Sequence, residues 1–197
     1  MVKRFAILRA VCVPCFGMLV AALALAGCVA PGSSSARLPP RPPDSLLGAQ
    51  IAAKVLIFVS NDCPICNRYS PELRRLHRLY APRGCAFWLV HSDPDETAAS
   101  IIEHDRQYGL SLPTLIDSSH RLVRLAQARV VPSVAVFAAN GKLIYRGRID
   151  DRFAQVGVER PQAYHHELED ALQAVLAGRP VLVAETQAVG CYLPEAQ

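Results

Sequence analysis

The chain has 197 residues, room for one ordinary domain with extensions, and 51% of them are hydrophobic. Its formal charge of +4 is concentrated at the start: Lys3, Arg4 and Arg9 lie in the first nine residues and the first 27 carry no acid, which leaves 18 basic against 17 acidic residues in the remainder. A near-neutral body without a clustered basic face argues against nucleic acid as a partner.

The basic start is followed by an apolar stretch from Ala10 to Ala26, the length of a signal-peptide core and short for a membrane span. It ends in Leu25-Ala26-Gly27-Cys28, which resembles the lipobox of bacterial lipoproteins. That resemblance implies cleavage before Cys28 and a lipid on Cys28. An ordinary cleaved signal and an uncleaved anchor are the other readings, and all three place the rest of the chain across the membrane. Residues 1–27 are therefore expected to be a signal peptide, and 28–48 a Pro/Ser-rich tether too polar and too proline-rich to bury a core. Residues 49–180 form the expected folded domain and 181–197 a C-terminal tail. Cys12 and Cys15 fall in the leader, so their spacing carries no chemistry. Four cysteines remain for the folded part, Cys63, Cys66, Cys85 and Cys191, in a compartment that permits disulfides.

Lys54–Ser60 is a near-continuous apolar run, expected of a strand covered on both faces. Cys63-Pro64-Ile65-Cys66 follows and opens a helix. Ile65, Tyr69, Leu73, Leu76 and Leu79 or Tyr80 recur at three- and four-residue steps. A helix N-terminus offers unpaired N–H groups and partial positive charge, which stabilise a thiolate. Proline is favoured in that first turn. The spacing suits a nucleophilic Cys63 with Cys66 one turn along to close a disulfide. Cys85–His91 reads as a second buried strand, and a helix is expected from about Asp95 to Tyr108, stopped by Gly109. Leu112–Ile116 is a short extended piece and Leu122–Ala128 a short helix. Val131–Phe137 is a third main strand, Asn140-Gly141 a hairpin turn, Lys142–Ile149 the returning strand and His165–Ala177 a terminal helix. The order describes an α/β sandwich with a central mixed sheet, in which a Cys-x-x-Cys after the first strand reads as a redox motif.

Two ordered blocks, Phe58–Cys66 and Arg129–Phe137 followed by Asn140–Gly147, resemble the thioredoxin superfamily, and within it the extracytoplasmic TlpA/ResA-like, redoxin branch. The insertion Asp93–Gly109 is similar to that branch rather than to minimal thioredoxin. The resemblance spans about Ala49 to Gly178. It implies a thioredoxin-like three-layer sandwich with an inserted helix before a cis-proline loop. It also implies Cys63 as attacking thiol, Cys66 as resolving thiol, a redox-active Cys63–Cys66 disulfide, and a cis Val131–Pro132 bond. Val131 and Pro132 are then the substrate-binding residues, holding an extended segment through main-chain hydrogen bonds. No organic cofactor and no metal is implied. The partners are protein thiol or disulfide substrates, a redox partner protein, and the membrane through the lipid anchor.

The chain departs from the family pattern in two places. Pro-Ile stands between the cysteines, and Ile57 occupies the position where thioredoxin keeps a buried acid. Asp62 is the nearest acid and reads as a solvated helix-start residue. A peroxiredoxin-like thiol peroxidase shares the fold; Ser60 and Cys63 fit its site pattern, but Leu56 stands where it needs proline. A copper- or metal-delivery module is a third reading, disfavoured by the two-residue cysteine spacing and by histidines (His77, His91, His104, His120, His165, His166) scattered over helices, turns and a strand end. Cys85 opens a buried strand and reads as a packed small hydrophobe. Cys191 is a candidate accessory thiol that pairs with Cys85, reaches the Cys63–Cys66 site, or is inert. Arg146, Arg148, Asp150 and Asp151 read as sheet-edge charge pairs.

Overall fold

Ala53–Val59 (β1) is buried at all seven positions. Side chains alternate between the two faces of a sheet, so burial at every position requires a layer on each face. The computed structural model describes residues 51–194; the expected leader 1–27, tether 28–48 and lipid acceptor Cys28 lie outside the described residues. Parallel to β1 runs Cys85–His91 (β2), with Ala53 opposite Cys85 and Val59 opposite His91, and Thr114–Ile116 (β3) extends that side. On the other side Ser133–Ala138 pairs antiparallel with β1, and Leu143–Gly147 pairs antiparallel with that strand in turn. The result is a five-stranded mixed sheet with β1 at its centre, the expected α/β sandwich.

Pro64–Tyr80 forms α1, whose buried residues include Ile65, Tyr69, Leu73, Leu76 and Tyr80, one face at the helical period. Leu79 is on the exposed side. Glu167–Leu176 is the last helix and buries Leu168, Ala171 and Leu172. It is locked to α1 by Glu169, which accepts from Arg75 and from the Tyr80 hydroxyl.

Several boundaries differ from expectation for identifiable reasons. The inserted helix α2 spans Ala98–Tyr108 rather than starting at Asp95, because Thr97 caps it: its hydroxyl accepts from the Ser100 amide at 3.1 Å while the Ser100 hydroxyl accepts from the Thr97 amide at 3.0 Å. Arg121–Ala126 is α3. The expected single strand Val131–Phe137 is two strands, Val130–Val131 (β4) and Ser133–Ala138 (β5), divided at Pro132, which has no N–H for a ladder. With Leu143–Gly147 as β6, the chain adds an unanticipated small hairpin, Phe153–Gln155 (β7) and Val158–Glu159 (β8). The terminal helix, α4, begins at Glu167 instead of His165 because the Tyr164 and His165 amides donate to the Asp151 carboxylate.

The described part of the tail after α4 is tied down at two places. The Arg146 amide donates to Ala184 O and the Thr186 amide to Arg146 O, both at 3.0 Å, extending the edge of β6. Tyr145, fully buried, shares a hydrogen bond of 2.8 Å with the Thr186 hydroxyl. The chain then crosses to β4, where Cys191–Tyr192 (β9) pairs antiparallel with it, Val131 opposite Cys191.

Candidate active site

Cys63 is the N-cap residue of α1 and Pro64 follows in the first turn. The unpaired amides of that turn and the positive end of the helix therefore face the Cys63 sulfur. Both cysteines are buried, Cys63 2% and Cys66 3% exposed. The Cys63 thiol donates to Val131 O at 3.3 Å, which ties the first helical turn to β4. The Val131–Pro132 bond is cis. Cys63 and Cys66 are thus brought to Val131 and Pro132, although Cys63 and Val131 lie 68 positions apart in sequence.

The two thiols are driven apart in acidity. A hydrogen bond from Cys66 favours the Cys63 thiolate; burial opposes it, and a second hydrogen bond, from Cys191, adds to it, so that its pKa falls to about 5. Cys66 moves the other way, held protonated by burial and by the neighbouring Cys63. The arrangement favours a thiolate at Cys63 and a thiol at Cys66 one turn away.

Position 57 supplies no acid: Ile57 is completely buried in β1. Asp62 is exposed. A buried carboxylate that holds the loop before Cys63 is Glu96, in the insertion before α2, a residue the sequence reading did not single out. One Glu96 oxygen accepts from the Asn61 amide at 2.5 Å and the other lies 2.6 Å from His91 Nδ1. Burial raises the pKa of this carboxyl, but its contacts with His91 and the Asn61 amide outweigh that and hold it below the usual carboxylate range. The Asn67 amide group donates to Asn61 O at 3.1 Å, and His104 Nε2 meets Asn67 Oδ1 at 2.7 Å. The loop that presents Cys63 is therefore pinned from two sides. The available signal was His91: a histidine closing a buried strand requires a polar partner.

Cys85 lies at the far end of the β1–β2 pair, opposite Ala53, while Cys63 follows the Val59 end. Seven strand residues span about 20 Å, so Cys85 has no part in the site; burial raises its thiol to about 11. Pairing of Cys191 with Cys85 is thereby ruled out as a native contact. Cys191 instead donates to Cys63 Sγ at 2.7 Å. A groove of about 180 Å³ opens over the thiols, bordered by Ser60, Asp62, Cys63, Val131, Cys191 and Tyr192 among others. A larger cavity of about 870 Å³ lies between the tail and the β4–β6 side of the sheet, and no cysteine lines it. Asp150 and Asp151 are buried rather than edge-exposed: Asp150 accepts from the Tyr69 hydroxyl at 2.5 Å, and Asp151 caps the approach to α4. Arg146 and Arg148 do form charge pairs, with Glu185 and Glu167. Glu72, His166 and Glu169 are close enough to share a cation among the described residues, but Arg75 already bridges the two carboxylates.

Residues 46–146, just over half of the chain, match the model of the AhpC/TSA family. A curated relative, the thiol-disulfide oxidoreductase ResA of Halalkalibacterium halodurans, is 26% identical over 90 residues, 45% of this chain and 49% of the relative. The chain thus spans about half the length of the curated relative it matches. Among solved structures, a hypothetical protein of Sinorhizobium meliloti 1021 superposes with a TM-score of 0.64 at 26% identity, covering 73% of this chain and 79% of that one. A thioredoxin-like protein in its oxidised form superposes with a TM-score of 0.51 at 21% identity, covering 68% of this chain and 82% of that one, a likeness of fold.

Proposed function

The chain belongs to the AhpC/TSA family, and from that premise we propose that it is a thiol–disulfide oxidoreductase acting on protein substrates through Cys63 and Cys66. The observation that carries this reading is the split acidity at the start of α1: Cys63 is lowered to about 5 while its neighbour Cys66 is held protonated. The named activity of the ResA relative supports it.

In the reductive direction the Cys63 thiolate attacks one sulfur of a substrate disulfide. The Cys63–substrate bond forms, the substrate S–S bond breaks, and the departing substrate thiolate takes a proton. Cys66 then gives up its proton and attacks Cys63 Sγ, releasing the second substrate thiol and leaving the Cys63–Cys66 disulfide. Two electrons have moved from the protein dithiol to the substrate, and a redox partner protein restores them. The reverse sequence oxidises a substrate dithiol. Val131 and Pro132 line the edge on which an extended substrate segment lies, and the Val131 carbonyl, 3.3 Å from Cys63 Sγ, fixes that segment beside the nucleophile. The Cys28 lipid and the 28–48 tether hold this domain at an extracytoplasmic membrane surface.

The test is exchange between dithiothreitol and a disulfide-bonded peptide. Catalysis by the native protein that falls to background in Cys63→Ser is expected. Equal rates for the two proteins would overturn the proposal. A peroxidase instead consumes hydrogen peroxide with sulfenic acid accumulating at Cys63 in Cys66→Ser; Leu56, buried in β1 where that chemistry wants proline, disfavours it.

A further inference from the structure

The tail places a third sulfur on Cys63 by the same means that a substrate would use. β9 pairs with β4 as an added antiparallel strand, and the register sets Cys191 opposite Val131. The Leu193 amide donates to Arg129 O at 3.1 Å, continuing the pairing past Tyr192. Gly190 makes the approach possible: a Cβ at that position would overlap the Val131 carbonyl. The outcome is Cys191 Sγ at 2.7 Å from Cys63 Sγ, on the open side of the site. Cys66 approaches from beneath, within α1. Added-strand pairing beside a reactive thiol is the recognition mode expected for an extended peptide substrate, and here the chain's own C-terminal segment occupies it.

Resting on the oxidoreductase reading above, we propose that residues 190–193 are a built-in substrate strand and that Cys191 is a second resolving thiol for Cys63. A substrate displaces β9 and forms its mixed disulfide with Cys63. When β9 pairs with β4 again it takes the groove back, and the Cys191 thiolate attacks Cys63 Sγ. The Cys63–Cys191 bond forms, the Cys63–substrate bond breaks, and the substrate leaves as a thiolate that takes up the proton Cys191 gave up. Cys66 next attacks Cys63 Sγ in the same way, freeing Cys191 as a thiol and leaving the Cys63–Cys66 disulfide. The two electrons still come from the Cys63/Cys66 pair, and Cys191 is regenerated. Re-pairing of the tail thus couples release of the substrate strand to the chemistry that frees it.

The experiment adds one equivalent of 5,5′-dithiobis(2-nitrobenzoate) to the reduced full chain, with Cys12, Cys15 and Cys28 replaced by serine in every protein compared, and counts thionitrobenzoate released, with peptide mapping under non-reducing conditions. Attack by Cys63 releases one; attack of a second thiol on the mixed disulfide releases the other. The native protein and Cys191→Ser are expected to release two per equivalent. Cys66→Ser is also expected to release two and to give a Cys63–Cys191 linked peptide. Cys66→Ser/Cys191→Ser is expected to stop at one, with the adduct retained on Cys63. Cys66→Ser/Gly190→Val keeps both thiols but cannot seat β9, and a slowing of the second release by tenfold or more is expected, an effect an undocked tail thiol would not show. If Cys66→Ser stops at one with Cys191 unlinked, or if Gly190→Val leaves the second release unchanged, the tail proposal is overturned while the oxidoreductase reading stands. If the native protein itself never releases the second, the oxidoreductase reading falls with it.

Discussion

Cys63 sits where three influences meet: burial favours its thiol, and hydrogen bonds from Cys66 and Cys191 favour its thiolate. The sulfur contacts win, setting its pKa at about 5 against an ordinary 9.0. Reduced protein should therefore react with iodoacetamide at a rate that rises through a midpoint near pH 5 and is flat by pH 7; a midpoint between 8 and 9 would contradict this. The lowered value also has a stability consequence. A group whose folded pKa is depressed contributes stability that is full above its unfolded pKa, near 9, and is lost as pH falls toward 5. The reduced form should accordingly lose stability relative to the disulfide form across that window, measured by urea unfolding of both forms. Glu96 gives a second residue-scale outcome. Its side chain is 8% and that of His91 1% exposed, so Glu96→Ala strands a buried histidine and the Asn61 amide. It should cost roughly 1–3 kcal/mol at pH 7, the range for leaving buried hydrogen-bonding groups unpaired, and less in acid, since a carboxylate held below its ordinary pKa contributes only above it. A cost under about 0.5 kcal/mol, typical of surface changes, would contradict the role assigned to Glu96. The thiol pair was legible in sequence because spacing, Pro64 and a preceding apolar strand all bear on one local geometry. Glu96 was not, because its contact with Asn61 reaches 35 residues back and the one local signal, the buried His91 five residues earlier, does not say which polar group it meets.

Among elements, β1 and α1 were the most readable, since a two-sided strand and a single-faced helix leave periodic apolar patterns. The division of β4 from β5, the β7–β8 hairpin and the tail strand were not, because strands of two or three residues carry no pattern and owe their pairing to distant partners. The tail shows how such an element is held. Gly147 has φ 139, in the region that favours glycine, and a Cβ there would overlap the Thr186 backbone and hydroxyl. Gly147→Val should therefore unseat residues 184–186 from β6, read as faster hydrogen exchange at the Thr186 amide and new protease cleavage in the tail, with β1 and α1 unchanged. Continued protection of Thr186 would show that the tail is held by other contacts.

For the whole molecule, the proposed leader, tether and lipid on Cys28 would set where the chemistry occurs, and the domain what it is. Among the described residues no helix is long and apolar enough to cross a membrane; the proposed anchor, a lipid on Cys28, lies outside those residues. Cys28→Ser should release the protein from the membrane fraction of expressing bacteria and abolish palmitate labelling; membrane retention without label would remove the lipoprotein assignment. Fold class was legible because the order of strands and helices is long-range information written in local patterns; the sheet order β3-β2-β1-β5-β6 was not, since it is set only by pairing in the assembled sheet. The placement of Cys191 was not, since a cysteine 128 residues from Cys63 can be brought to it only by the assembled sheet. The central claim is a reversible dithiol–disulfide couple at Cys63 and Cys66, and equilibration of the full chain in graded glutathione buffers tests it most directly. The account predicts a single two-electron transition, with a tenfold change in the redox ratio for each ~30 mV, a Cys63–Cys66 linked peptide on the oxidised side, and loss of the transition in Cys63→Ser. A native chain that shows no reversible transition, or that accumulates only a glutathione adduct on Cys63, would contradict it.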